Sequence, residues 1–397
     1  IKNSCLSLCQ NSKKNSLKMK YAAVMDLYTD FLMTSPNIVS AGLLSEVLNK
    51  EHSHDRITRM LAQDILDQKA YWRSIKPTVR QIEKAEGIIS IDDTIEEKPY
   101  SSENEFISWH FDHTKGQSVK GINIVTFTYV NTNFDQSVKF PVAFEVVRKD
   151  STQTKVVKKN GKFVKKTSPC ASISKNELVR NRLHDLVFQN HVQFSRVTFD
   201  TWFSSAENIT FIVKDLKKHV ICAIKDNRTV CFDVSKPKKE QQWLQVSTLD
   251  IEPNKTYKVR LKDVAFDVLL LKKVYHNLDG SLGVQYLIET DTDQTAEQIS
   301  ANYQLRWSSE DVHRSLKQNT ALELMPAKTQ NAQVNHIFAS MLALAKLECL
   351  KLATKKNHYQ LKRQVLIHAL KTAKEQIRQL KEFCLTKNIA FPNFLPA

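Results

Sequence analysis

The chain has 397 residues, with 58 Lys and Arg against 42 Asp and Glu, a formal charge of +16 and an apolar fraction of 42%. That length holds two or three domains, and the positive balance points to a polyanionic partner; nucleic acid is favoured over an anionic membrane surface because the basic residues are dispersed over structured-looking segments. No apolar run reaches about 18 residues, which excludes a membrane-spanning helix, and seven cysteines at irregular spacings fit a reducing cytoplasm and not a disulfide framework.

Residues 1–20 form a polar leader that is expected to be disordered, with Met19 as the expected start. Residues 21–84 have a helical pattern and are expected to form a helical DNA-binding domain. Within it, 41–48, a short turn, and 53–66 read as helix, turn, helix, with Ser53 as the second cap. Arg56 and Arg59 fall on the outer side of that second helix, where they suit a major groove; a plain helical hairpin explains the same pattern.

From Gly87 the pattern turns to strands: GIISIDD, ISWHFDHT and GINIVTFTYV. Such β-branched runs at short spacing suggest neighbours in one sheet. Gly116 and Gly121 have the spacing of a phosphate loop, yet Ile122 and Asn123 follow where Lys and Ser or Thr belong, so ATP hydrolysis is not expected. The first strand ends in Asp92-Asp93-Thr94. A carboxylate at the tail of an apolar strand is costly to bury without a partner or a metal, which raises Asp93 above an ordinary turn residue. Residues 148–166 carry eight basic side chains against Asp150 alone, with Asn160-Gly161 as a hairpin turn signal. A basic ribbon of this kind suits either a DNA track or a solvated excursion.

Ser174 with Glu177 signals a capped helix running to about Asn190, and VTFD then forms a short strand ending at Asp200. Ser204 with Glu207 caps the next helix, so Asp200 stands at the carboxyl end of a strand before a helix, where α/β sheets place working residues. VICAIKD leads to Lys225 and Arg228. Residues 229–287 read mostly as strands and are expected to form a β-rich insertion between the two parts of a core, 85–228 and 288–325.

Thr295 with Gln298 has the form of a capping box that opens a helix over 295–317. Helical spacing puts Tyr303, Arg306, Trp307, His313, Arg314 and Lys317 on the side of Glu310. A carboxylate flanked by Arg and Lys suits a metal ligand beside a phosphate clamp, although a salt-bridged, solvated face carries such charges too. Residues 326–397 finish the chain in helices. The last has an apolar stripe through Val365, Ala369, Ala373, Ile377 and Leu380, which suits dimerisation, DNA contact or simple packing.

Strand Asp93, strand Asp200 and helix Glu310 together supply three carboxylates from three elements of an α/β core. Such a set suits two Mg²⁺ or Mn²⁺ ions acting on a phosphodiester, with no covalent protein nucleophile.

The spacing of Tyr303, Arg306, Glu310 and Lys317 resembles the Tyr-Arg-Glu-Lys signature of the insertion-sequence-four group of DDE transposases. The segments IDDT, SWHFDHTKG, KGIN, VTFDTWFSS, AIKDNR and YQLRWSSEDVHRSLK are similar, in order, to blocks of that group over most of residues 40–340. The resemblance implies an RNase H-like core, a mixed sheet flanked by helices, with a mainly β insertion before the last acidic residue. It assigns Asp93, Asp200 and Glu310 to the catalytic and metal-binding places, Asp93 ahead of Asp92 because it directly precedes Thr94. It assigns Tyr303, Arg306 and Lys317 to phosphate contacts; Lys225, Arg228, Arg56 and Arg59 are further expected DNA contacts. The implied activity is cut-and-paste transposition on double-stranded DNA, at terminal inverted repeats and a target, by a homodimer in a bacterial cytoplasm. Trp243 is a candidate for base stacking. A transposase-derived binding protein that no longer cuts, and an RNase H-like nuclease without strand transfer, are the alternatives.

Overall fold

The computed structural model describes residues 21–387, apart from 36–38, 113–114, 133–136, 160–161, 238, 278, 325–326 and 328. The expected leader and the Asn160-Gly161 turn lie outside the described residues.

The chain opens with helix α1 over residues 21–34, then α2 (Ala41–Val47), α3 (His54–Ala62) and α4 (Gln68–Ile82). Ser40, Ser53 and Asp67 cap α2, α3 and α4 through their side-chain oxygens. Strands β1 (Ile88–Glu97), β2 (Ile107–Asp112), β3 (Gln117–Asn131) and β4 (Val138–Val146) follow, and then the ribbon β5 (Ser151–Lys159) and β6 (Lys162–Cys170). Helix α5 (Lys175–His184) ends in a π-helical turn at Asp185–Gln189 and leads to β7 (Arg196–Phe199), α6 (Ala206–Lys214) and β8 (His219–Ile224). Next come β9 (Thr229–Cys231), β10 (Leu244–Gln245), β11 (Thr256–Leu261), β12 (Asp267–His276) and β13 (Leu282–Glu289). The described chain closes with α7 (Ala296–Gln304), α8 (Trp307–Asn319), α9 (Gln330–Thr354) and α10 (His358–Thr386).

One large mixed sheet organises these elements. β1 runs antiparallel to β3 and parallel to β7, which is parallel to β8. β3 also pairs with β4, and with β2 nearer its start, so the order β4-β3-β1-β7-β8 is that of an RNase H-like sheet. The strands after β8 do not stand apart as a separate body. β13 pairs antiparallel with β8, and β12, β11, β9 and β10 extend the same sheet outward. At the junction, buried Glu289 of β13 meets Arg196 of β7 at 3.4 Å, and Arg196 also reaches Asp291 at 3.0 Å.

Helix α8 packs on β1, β3 and β4, and α9 packs on β4. The core between them is built of residues such as Ile91, Phe127, Phe140, Phe199, Leu316 and Phe338. Helix α4 belongs to this core through Tyr71, Ile75, Val79 and Ile82, although the sequence pattern joins it to the N-terminal helices. Helices α1 to α3 form a second core against α9, with Val24, Leu32, Leu44, Ile57 and Met60 meeting Ala339 and Ala343. Tyr28 and His336 Nδ1 are hydrogen-bonded there at 2.9 Å. Among the described residues no helix is long and apolar enough to cross a membrane.

Gly121 marks the closest approach in the sheet. A Cβ built on it would lie 2.2 Å from the Glu96 carbonyl oxygen, backbone that cannot yield without disturbing the β1–β3 ladder. Gly121→Ala is therefore expected to lower stability by about 1–3 kcal/mol, the usual cost of overpacking, read as a drop in the urea midpoint.

Candidate active site

The site is built where β1, the end of β7 and the start of α8 meet. Side chains alternate along a strand, so Ser90 and Asp92 share one face of β1 while Ile91 and Asp93 share the other. Ser90 identifies the face under α8: its hydroxyl donates to the Arg306 carbonyl at 3.1 Å and accepts from the Ser309 hydroxyl at 2.7 Å. Asp92 therefore points toward α8. There Arg306 spans two carboxylates, with Nη2 2.9 Å from Glu310 Oε1 and Nη1 3.9 Å from Asp92 Oδ2.

Asp200 follows directly on β7. Its Oδ1 accepts from the Trp202 backbone N–H at 2.9 Å, which fixes the carboxylate at the strand end. Burial pushes the Asp92 carboxyl up to about 7, the negative charge of Asp200 adds to the rise, and Arg306 opposes it. Asp200 is raised as well, mainly by burial. Asp92, Asp93 and Asp200 are thus three half-buried carboxylates within electrostatic reach, partly offset by one guanidinium.

Asp93 occupies a different environment from the one expected for it. It lies on the opposite face of β1, where Lys175 Nζ of α5 is 3.0 Å from its Oδ2 and the Asn123 side-chain amide donates to the same oxygen. Of the two adjacent aspartates, Asp92 is the one on the Arg306–Glu310 face.

The expected single helix over 295–317 is also interrupted. The Thr295–Gln298 capping box is present and opens α7. The N–H groups of Leu305, Arg306, Ser308 and Ser309 then bond to carbonyls three residues back, a tight turn that separates α7 from α8. Tyr303 accordingly sits in α7 and accepts from Gln285 Nε2 at 3.3 Å, while burial pushes its hydroxyl up to about 12 and keeps it protonated. The Arg306 guanidinium lies over both the Tyr303 and Trp307 rings. His313 points inward, 2.7 Å from the Thr126 hydroxyl, and burial lowers it to about 4. Arg314 is exposed and lies 3.8 Å from Asp311. Lys317 reaches back to β1, donating to the Ile95 carbonyl and pairing with Glu323, each at 3.0 Å.

The remaining expected DNA contacts are dispersed. Lys225 is exposed, and Arg228 lies near the carbonyl of Ser204. Ser205, not Ser204, caps α6, because Ser204 donates to Thr201 instead. In α3, Arg59 is exposed, whereas Arg56 is half-buried against His52 Nδ1. Trp243 is exposed beside β10. A cleft lined by Lys273, Tyr275, Gln285, Tyr303, Arg306 and Trp307 opens next to the acidic cluster.

The sequence model of the family described as DDE superfamily endonuclease matches residues 15–245, more than half of the chain. The chain belongs to this family. No curated protein matches it. The DDE superfamily endonuclease match gives the sheet its RNase H-like identity and makes DNA the substrate of the domain. It spans Asp92, Asp93 and Asp200, and α8 with Glu310 lies beyond it.

DDE nuclease domains generally use divalent metal ions. Among the described residues no three Asp, Glu, His or Cys side chains converge closely enough to hold an ion, since Glu310 is turned onto Arg306. Asp92 and Asp200 nevertheless fit a hard cation in kind: both offer only oxygen, both are half-buried, and the repulsion that raises Asp92 is relieved by a cation.

The raised carboxyl of Asp92 has a thermodynamic consequence. Its folded-state value lies above the ordinary 3.8, so the ionised form costs stability in full above about pH 7, progressively less below it, and nothing below about pH 4. In metal-free protein, Asp92→Asn is expected to raise the thermal midpoint by several degrees at about pH 8 and to leave it nearly unchanged at about pH 4. Melting curves across that range measure it.

Proposed function

We propose that this DDE endonuclease is a transposase of the insertion-sequence-four group, cutting transposon ends and joining their 3′-hydroxyls to target DNA. Asp92, Asp200 and Glu310 are its acidic set, with Asp92 in the place the sequence resemblance gave to Asp93. The observation that carries this reading is the position of Arg306, which engages Asp92 and Glu310 at once beside Asp200.

When bound, Mg²⁺ or Mn²⁺ supplies Lewis acidity toward the phosphodiester. The protein's own side chains hold and orient the DNA. Arg306 keeps Glu310 and Asp92 in register while its guanidinium lies over the Tyr303 and Trp307 rings. Tyr303 brings a protonated hydroxyl beside it, and Lys317 adds a cation one helical stretch away, shared between Ile95 and Glu323 until a phosphate competes. Thr126 and neutral His313 brace α8 against β3, and the same threonine hydroxyl lies 3.3 Å from the Asp92 carbonyl. Removing a water-facing carboxylate from this arrangement leaves the binding contacts in place and abolishes the chemistry.

The assay is incubation of the protein with DNA carrying its element's ends and a target plasmid, with and without Mg²⁺, resolving cut and joined products. Joined product that requires metal is expected. Asp92→Asn, Asp200→Asn and Glu310→Gln are expected to bind end DNA and lose cutting by about a thousandfold or more, while Asp93→Asn keeps most of it. Equal loss in Asp92→Asn and Asp93→Asn would remove the distinction between the two faces of β1.

The synaptic form we propose is a homodimer through α10. Most of this helix beyond its first turns is exposed, and Leu366, Leu370, Ala373, Ile377, Leu380 and Cys384 recur at alternating steps of four and three, the period of a coiled-coil seam. Substituting Asp for both Ile377 and Leu380 is expected to give a monomer in light scattering; a dimer that persists would assign the seam another use. The exposed side of α3, with Arg59, is proposed to contact end DNA.

A further inference from the structure

The face of β1 opposite Asp92 carries a polar cluster that the cutting reaction does not use. Lys175, the first residue of α5, holds its ammonium 3.0 Å from Asp93 and 4.9 Å above the Trp202 ring. Burial lowers neighbouring His110, and the charges of Lys149 and Lys175 lower it further; Lys149 Nζ donates to the Trp109 carbonyl at 2.6 Å. Beneath them Asn123 is 1% exposed; its amide nitrogen donates to Asp93, and its Oδ1 has no partner among the described residues. Trp202 is 47% exposed, with the Lys175 ammonium over its ring.

Two further placements give this cluster a direction. The backbone N–H of Trp202 is bonded to the Asp200 carboxylate, and two residues of chain span at most about 7 Å, so the indole adjoins the acidic centre. On the other side, Lys149 immediately precedes the β5–β6 ribbon, whose two ends are tied together where Ser172 N–H donates to Asp150 at 3.0 Å. The ribbon therefore begins and ends beside Asp150, the residue that follows Lys149.

We propose that Lys149, Lys175 and Trp202 form a single-strand subsite, in which the two ammonium groups take a backbone phosphate and the indole takes the face of an unpaired base. One DNA strand would then leave the acidic centre along this face toward the ribbon. An indole under a cation, beside a cationic track, is the combination that binds single strands without reading their sequence. Asp93 keeps the Lys175 ammonium in place, and the other hydrogens of that ammonium serve the phosphate. This inference rests on the reading of the Asp92–Asp200 cluster as a strand-cutting centre.

The test uses the full chain in EDTA, so that no cutting intervenes, with a labelled single-stranded oligonucleotide and the matching duplex read by fluorescence anisotropy. Trp202→Ala is expected to weaken single-strand binding about tenfold, with Trp202→Phe recovering most of it. Lys175→Ala is expected to weaken it similarly and to reduce the slope of log K against log salt by roughly 0.7, the value for one phosphate. Duplex affinity should change less than twofold in each variant. Circular dichroism checks the fold, and Lys175→Arg, which keeps the pair with Asp93, should bind nearly as the parent does.

Parent-like single-strand affinity in Trp202→Ala, or equal losses for duplex and single strand, would overturn the proposal. Failure of the cutting reading has a separate signature: protein that binds single strands through Trp202 yet cuts no DNA with Mg²⁺ loses the active-site assignment and keeps the subsite.

Discussion

Much of this structure answers to one electrostatic constraint: Asp92 and Asp200 are half-buried within electrostatic reach of each other, and Arg306 is the cation that stands among them. Buried carboxylates are tolerated only with a partner, and a guanidinium can serve two at once because its donors form a planar fork. Arg306 reaches Glu310 as an i,i+4 neighbour and Asp92 across to β1. The tight turn at Leu305 lays Arg306 over Tyr303 and Trp307, so aromatic faces hold the guanidinium on the side where no carboxylate does. An uninterrupted helix would have carried the arginine along a single face.

The sheet supplies the rigid frame for this balance. β1 is hydrogen-bonded on both edges, to β3 and β7, which fixes Asp92 and Asp93 on opposite faces with no freedom to exchange. Asp200 stands one residue beyond β7, where the ladder ends and a backbone N–H becomes available to hold it. Helix α8 is seated by Ser90 and Ser309 near its start and by Thr126 and His313 further along. Four polar side chains, all largely removed from water, thus set the height of Glu310 above the strands.

Much of this was legible in the sequence. The strand runs, the carboxyl-end position of Asp200 and the capping box at Thr295 all depend on local chemistry, and local chemistry is what a sequence displays. Which of Asp92 and Asp93 faces the last helix was not, because the two sit side by side at the end of one apolar run and nothing local says which face that helix will cover. That depends on Ser90 meeting Ser309, residues far apart in the chain. The turn at Leu305 was hidden for a related reason: Leu, Arg and Trp are all good helix residues, and the interruption serves contacts with distant Asp92 and Gln285. The joining of β13 to β8 likewise arises from long-range pairing, which strand propensity does not encode.

That joining has a consequence for how such a chain can vary. Strands β9 to β12 are added to the outer edge of a sheet whose inner strands already carry Asp92 and Asp200, and β13 returns the chain to β8 before α7 begins. Arg196, Glu289 and Asp291 lock the point of return. Residues gained or lost in the turns between the outer strands alter the reach of that edge and leave the distance from β8 to α8 as it was. The outer edge of the sheet can therefore change length without moving the strands that carry Asp92 and Asp200, a separation written into strand order alone.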